Sequence, residues 1–404
     1  MAVPKLRFKS FNGSYQRKKL SELLTERNEK SCITENLPLL SFTIEGGVIN
    51  PDEKKTNKRD FLIKDMDTKI FAITEIDDII YNPANLKFGA IHRNKFKKGL
   101  LSPIYGIFSC NENAAYIEYS VRRPKFIQNS NRFAEGTVVK LKTLKTKDFL
   151  QLKLNVPDKE EQNKIADFLI TFDKRITNQQ NIIADLEETK KGLLQKIFSQ
   201  EIRFKDDNGQ DYPEWEEKRL GDISYVMRGL TYKPTDVRDD GIRVFRSSNI
   251  SEDTFIYGED DVFVDVNAVN IPFVQNGDIL ITAANGSSRL VGKHSVIHGV
   301  LNDTAVHGGF MLLIRSKDSA FINSSMYSSW YKKFVYKFVA GGNGAIGNLK
   351  KSDLENVHLF VPCEKEKNKI DDFLSTFDKK ITAEKQILSD LQEMKKGLLQ
   401  QMFV

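Results

Sequence analysis

The chain has 404 residues, with 61 Lys+Arg against 55 Asp+Glu, a formal charge of +6 and 40% hydrophobic residues. That length suits two or three domains, each with its own core, and 29% charged with 10% aromatic residues excludes a mainly disordered chain. No apolar run nears the roughly 18 residues of a membrane span, no signal peptide follows the basic start, and Cys32, Cys110 and Cys363 lack CxxC spacing, so a soluble, cytoplasmic protein with no membrane contact, no disulfide and no structural zinc is expected.

In chain order, residues 1–155 form a first block. FAITEIDDIIYN, GIFSCN and GTVVKLKTL read as strands, and YNPANLKFG and KKGLLSPIYG as loops. Residues 156–200 read as one long helix: Ile165, Leu169, Phe172, Ile176, Ile183, Leu186, Leu193 and Ile197 alternate spacings of four and three, a heptad seam. Asp158, Glu160 and Glu161 sit at its expected start and Lys190, Lys191 and Lys196 near its end, while Gly192 is its weak point, the position at which a break could fall. Residues 201–355 form a second block, with IRVFRSSNI, GDILITAANGSS and GGFMLLIRS as strands and SSMYSSWYKKFVYKFVA as a helix. Residues 356–404 read as a second long helix, with Gly397 as its weak point.

The two helices are copies. Val156–Phe198 returns as Val361–Phe403 without a gap, 205 residues later, with 26 of 43 positions identical. A fainter echo links LRFKSFNG at Leu6–Gly13 to IRFKDDNG at Ile202–Gly209, whereas the two blocks show no comparable likeness. Polar residues interrupt both seams, Gln179 and Lys190 in the first, Glu384 and Lys395 in the second. A parallel pairing sets Lys190 against Lys395. An antiparallel one sets Lys190 against Glu384 and Gln179 against Lys395, and matches Ile176 with Leu398, Ile183 with Leu391, Leu186 with Leu388 and Leu193 with Ile381. The expected fold is therefore α+β, two domains separated by two long helices in an antiparallel intramolecular coiled coil with pseudo-twofold symmetry.

Charge is unevenly spread. Residues 1–155 carry 28 Lys+Arg and 17 Asp+Glu, net +11, and residues 201–355 carry 18 and 22, net −4. A basic block of this kind neutralises phosphates. Catalytic motifs are missing. Gly342–Gly347 spells GxGxxG but follows a helical pattern rather than a strand, Gly286–Lys293 has the wrong spacing for a phosphate loop, and Tyr81-Asn82-Pro83-Ala84 lacks the second proline and aromatic of an adenine-methylase loop. The five histidines form no metal-binding spacing. The residues argue for binding rather than chemistry.

The duplicated KIADFLITFDKRI and KKGLLQKIF helix, set after two unlike blocks, resembles the specificity subunit of type I restriction-modification systems along essentially the whole chain. PEWEEKRLGDI, FRSSNI, NGDILI, YNPANLKFGAI and GLLSPIY support the likeness, and the lead-in Tyr212-Pro213-Glu214-Trp215 has no full counterpart in the first half. The resemblance implies a non-catalytic subunit with two target-recognition domains, each reading half of a bipartite, asymmetric double-stranded DNA site, and with helices that fix the unread spacer. It also implies two methylase subunits carrying S-adenosylmethionine, and restriction subunits using ATP and magnesium. The alternative reading is a non-catalytic DNA-binding scaffold or regulator without methylase partners. The residue types that read base edges or phosphates nominate Lys87, Arg93, Lys95, Lys97, Arg122, Arg123, Asn129, Asn131 and Arg132 in the first block. In the second they nominate Arg228, Tyr232, Arg246, Ser247, Asn249, Asn285, Ser287, Ser288, Arg289, Lys293, Asn343 and Lys350. Phe168 and Phe373, off the seam, are the expected methylase contacts.

Overall fold

The computed structural model describes residues 3–53, 69–134, 143–251, 253–339 and 348–404. Two compact units emerge, Met1–Asn181 with Lys385–Val404, and Ile182–Glu384. The long helices Lys159–Phe198 and Glu364–Met402 each run through this division. A unit is therefore one block, the near half of its own helix and the far half of the other.

Both helices are continuous through their weak points, Gly192 and Gly397, as one long helix in each copy requires. A single glycine costs only about 1 kcal/mol in a helix, which the surrounding seam outweighs. The first helix starts where predicted: the Asp158 carboxylate accepts from the Glu161 amide at 2.9 Å. Every predicted seam residue is buried or half-buried. Toward Phe198 the buried stripe shifts to Leu194 and Ile197, which join the second unit's core with Ile370 and Leu374.

Within each unit the helix segments run antiparallel. In the first, Lys395 bonds Asp173, while Gln401, six residues on, accepts from the Leu6 amide beside Arg7 and its partner Glu161. In the second, Lys190 bonds Asp378, and Phe198 packs on Trp215, which donates to Glu366. Each lysine thus pairs with a carboxylate six residues before the partner expected from the seam. The reason is desolvation: a lysine stem reaches past the seam to a flanking, partly hydrated acid, Asp378 being 59% and Asp173 33% exposed, rather than leaving its charge on the seam.

Each block builds its own sheet, with the same strand order in both. In the first unit the order is Leu24–Glu26, Gly106–Cys110, Ile79–Tyr81, Ile91–Arg93, and in the second Tyr225–Arg228, Met311–Arg315, Ile279–Thr282, His294–Val296, antiparallel throughout. A two-stranded ribbon closes each block at its helix, Gln16–Lys19 with Lys153–Val156 and Glu216–Arg219 with His358–Val361. Outside this common frame the units differ. The first adds Phe71–Thr74 between Lys30–Ser31 and Gly99–Leu101, the last of these a strand where a loop was predicted. The second adds a four-stranded sheet in which Ile242–Phe245 pairs in parallel with Ala305–His307. The predicted helix over 324–340 is split: Ser319–Ser325 and Ser329–Val339 are separate helices. Most of GTVVKLKTL lies outside the described residues.

A buried clamp ties each lead-in to its helix. Arg7 donates two bonds to Glu161 at 2.8 and 2.7 Å, and the Tyr15 hydroxyl donates a third at 3.2 Å. Arg203 donates to Glu366 at 3.2 and 2.8 Å, and the Trp215 indole donates at 3.0 Å. Tyr15 thus takes the place of Trp215, so the shortened first lead-in keeps the same packing.

Candidate nucleic-acid interface

In the second unit, four predicted residues meet in one cleft of about 770 Å³: Tyr232, Arg246, Ser247 and Asn285, beside Phe310, which is 73% exposed. The strand Ile279–Thr282 delivers Asn285, and the turn Ser247–Asn249 delivers Ser247. The Asn285 amide donates to the Ser247 hydroxyl at 2.9 Å and its carbonyl oxygen accepts from the Ser287 amide at 2.9 Å. Among the described residues each end makes this one bond, so the side chain is held in place with a second donor and a second acceptor position to offer. That is the arrangement with which asparagine reads adenine. Arg246 is held by the Asp260 carbonyl at 2.8 Å.

In the first unit, Arg93, Lys95 and Arg122 converge on one carboxylate. Glu118, 1% exposed, lies 3.5 Å from Arg93, 2.9 Å from Lys95 and 3.6 Å from Arg122. Asp77 takes a further bond from Arg93 at 2.5 Å. His92 is buried beside them, and burial pushes its imidazole down to about 4, so it adds no charge at neutral pH. Lys95 and Arg122 remain 49% and 41% exposed.

Other predicted residues divide into exposed and committed ones. Asn129, Asn131 and Arg132 are exposed, and so are Arg228, Ser287, Ser288, Arg289 and Lys350. Lys87 lies over Phe88 and Lys97 over Phe96, rings 62% and 40% exposed, and Lys293 is half-buried in the loop after Ile279–Thr282. Two residues do not fit the expectation. Arg123 donates to the Ser120 and Val404 carbonyls and lies 5.1 Å over the Phe403 ring, so its fork is spent on helix packing. Asn249 is fully buried and donates to the Ile256 carbonyl and Asp261, which makes it a turn-forming residue. Asn343 lies outside the described residues.

Phe168 and Phe373 are not the exposed aromatics their position off the seam predicts. Each meets a lead-in phenylalanine edge-to-face, Phe8 at 5.7 Å and Phe204 at 5.4 Å, because the lead-in folds back over the helix. Sequence reasoning missed Glu118, whose role depends on Arg93 and Lys95, distant in sequence, together with Arg122 one helical turn away, and Phe310. It also missed Asn85: Asp78-Ile79-Ile80-Tyr81-Asn82-Pro83-Ala84-Asn85 and Asp278-Ile279-Leu280-Ile281-Thr282-Ala283-Ala284-Asn285 occupy equivalent strands, placing Asn85 where Asn285 stands.

Among the described residues, no helix is long and apolar enough to cross a membrane, and no group of three or more His, Cys, Asp or Glu is placed to hold a metal ion.

The model of the type I restriction modification DNA specificity domain matches residues 113–188 and 212–393. The type I restriction enzyme MjaVIII specificity subunit of Methanocaldococcus jannaschii is 23% identical over 299 residues, 70% of this chain and 68% of that protein. The EcoKI specificity subunit of Escherichia coli is 27% identical over 197 residues, 46% of this chain and 41% of that one. The crystal structure of a type I restriction-modification S subunit from M. genitalium matches the fold over 100% of this chain and 99% of that one, at 16% identity and a TM-score of 0.55. A chain from a study of type I complex assembly and conformational transition matches over 97% and 98%, at 13% identity and a TM-score of 0.57. With a repeated helical frame, two like sheets and a family match over residues 113–188 and 212–393, more than half of the chain, the chain belongs to the DNA specificity subunits of type I restriction-modification systems.

Proposed function

We propose that each unit reads one half of an asymmetric, two-part duplex target, and that the chain docks two adenine-methylase subunits while supplying no catalytic group itself. The observation that carries this is the pairing of one frame with unlike contact residues. The same sheet order recurs in both units, yet one presents cations around Glu118 and the other an Arg246, Ser247 and Asn285 cleft. Identical frames with different side chains read different bases. S-adenosylmethionine would be bound by the methylase subunits, ATP and magnesium by restriction subunits, and the assembly would work in the cytoplasm. That a fold neighbour is described in terms of complex assembly supports the partner reading.

The test is to express the chain with its neighbouring operon genes and map methylated adenines across the genome. A motif of two different specified parts separated by unspecified bases is expected. Absence of any methylated motif, with the chain still binding DNA, would favour a scaffold or regulator.

A further inference from the structure

Among the described residues, the basic cluster of the first unit has no counterpart at the equivalent positions of the second. Strand register supplies the correspondence. Ile79 pairs with Arg93 and Ile279 with Val296, so Arg93 and Val296 are equivalent. The Asp77 amide donates to the Asn94 carbonyl as the Gly277 amide does to Ile297, which aligns Asp77 with Gly277 and, one residue beyond Asn94, Lys95 with His298. The helices Ala114–Val121 and Ser319–Ser325 begin at the repeat offset, which aligns Glu118 with Asn323 and Arg122 with Tyr327. Five charged side chains on the first unit thus stand against Gly277, Val296, His298, Asn323 and Tyr327 on the second, with no lysine, arginine or carboxylate among them.

Arg93 and Lys95 also line an adjoining concavity of about 240 Å³ with Tyr119, Asp173, Lys174 and Asn178. Asp173 is already engaged by Lys395 and the Tyr119 hydroxyl. The concavity and the cluster beside it together form a basin that keeps an excess of positive charge: Lys95 in the concavity and Arg122 next to it are about half exposed, and all three cations are focused by a carboxylate too buried to reach solvent. A buried counter-charge that organises exposed cations without cancelling them is suited to a monoanionic oxygen ligand with several acceptors.

We propose that this basin is a DNA phosphate site, and that the first unit carries the sequence-independent, salt-sensitive grip while the second reads its half of the target with little phosphate contact at the equivalent place. The proposal rests on the reading of the chain as a two-part DNA reader.

The experiment measures binding of the full chain, assembled with its methylase subunits, to duplex DNA bearing the mapped target and to a scrambled duplex, from 50 to 200 mM salt. Each phosphate contact contributes about 0.9 to the slope of log K against log salt. Lys95→Gln with Arg122→Gln is expected to weaken binding to both duplexes alike and to lower the slope by about 1.8, so that the loss of affinity across this salt range shrinks about twelvefold. Lys95→Arg keeps the slope, and Tyr327→Phe in the second unit leaves it unchanged. An unchanged slope in the double variant, with wild-type thermal stability, would reduce the cluster to a structural ion network and overturn the proposal. If the double variant is unstable, Lys95→Gln alone decides, since that ammonium is half exposed and its loss is expected to remove about 0.9 of the slope. Failure of the underlying reading looks different: the wild-type complex would then bind target and scrambled duplex equally.

Discussion

The buried clamps make an asymmetric prediction about stability. Glu366 has no exposed side-chain surface and is held by Arg203, 18% exposed, and by the Trp215 indole. In Arg203→Met the carboxylate stays buried with one neutral donor, a loss of about 3–5 kcal/mol. In Glu366→Gln the amide oxygen still accepts from Trp215, and Arg203 keeps the Tyr212 and Pro213 carbonyls at 3.2 and 2.6 Å and Glu214 at 3.3 Å. That variant is expected to cost only about 1–2 kcal/mol. At about 2–4 °C per kcal/mol for a unit of this size, the arginine variant lowers the melting temperature of the second unit by roughly 10 °C and the glutamate variant by roughly a third of that. Arg203→Met combined with Glu366→Leu removes both charges and recovers most of the loss.

Scanning calorimetry of the full chain is the suitable assay, because two units with separate cores can melt in two steps. Arg7→Met and Glu161→Gln repeat the asymmetry in the first unit, where Glu161 is equally inaccessible. Equal losses from the arginine and glutamate variants would mean that water reaches the carboxylate, and would refute the buried-charge argument.

Four further outcomes follow from the same geometry. Gly192→Ala and Gly397→Ala each place a methyl where nothing lies within 4 Å, and each should stabilise the chain by about 0.5–1 kcal/mol in urea unfolding. Asp371, with Oδ1 buried and unpaired, has its carboxyl pushed up to about 6 by burial. The folded state therefore holds the proton more tightly than the unfolded chain, and stability falls as pH rises from about 4 to about 6. Asp371→Asn should gain about 1–2 kcal/mol at pH 7 after solvent screening and nothing near pH 3.5, as read by urea unfolding at both values. Lys190→Glu should cost no more than about 1 kcal/mol and be rescued by Asp378→Lys, whereas rescue by Glu384→Lys instead would restore the seam register. Arg123→Ala should destabilise the first unit by about 1–3 kcal/mol while leaving the salt dependence of DNA binding unchanged, the reverse of its neighbour Arg122.

What the sequence makes legible is set by length scale. The long helices announce themselves because forty residues repeat a seam, and a long repeat is unmistakable. The shared sheet does not, because its strands are three to five residues long and any buried strand has the same apolar composition. Helix register fails for a related reason: the seam pattern assumes that polar residues pair with each other, whereas Lys190 and Lys395 turn outward to Asp378 and Asp173. Adjacent Arg122 and Arg123 are indistinguishable in sequence. They part only because one faces Glu118 and solvent and the other faces Phe403.

The contrast between the two units also explains why the basic cluster is present or absent as a whole. Three cations share one buried acid, so removing Glu118 would leave Arg93, Lys95 and Arg122 facing one another, and removing the cations would strand Glu118 in the core. Partial versions are unfavourable from either side. The second unit avoids them with Asn323, a neutral residue that satisfies the buried His294 ring at 2.9 Å and needs no counter-charge. The common sheet is indifferent to the choice, because the ladder bonds it makes are backbone ones. A frame held by backbone pairing and by its own buried clamps can therefore carry either a charged or a neutral contact surface. It follows that the −4 of the second block and the +11 of the first describe the surface each unit offers, not how its sheet pairs.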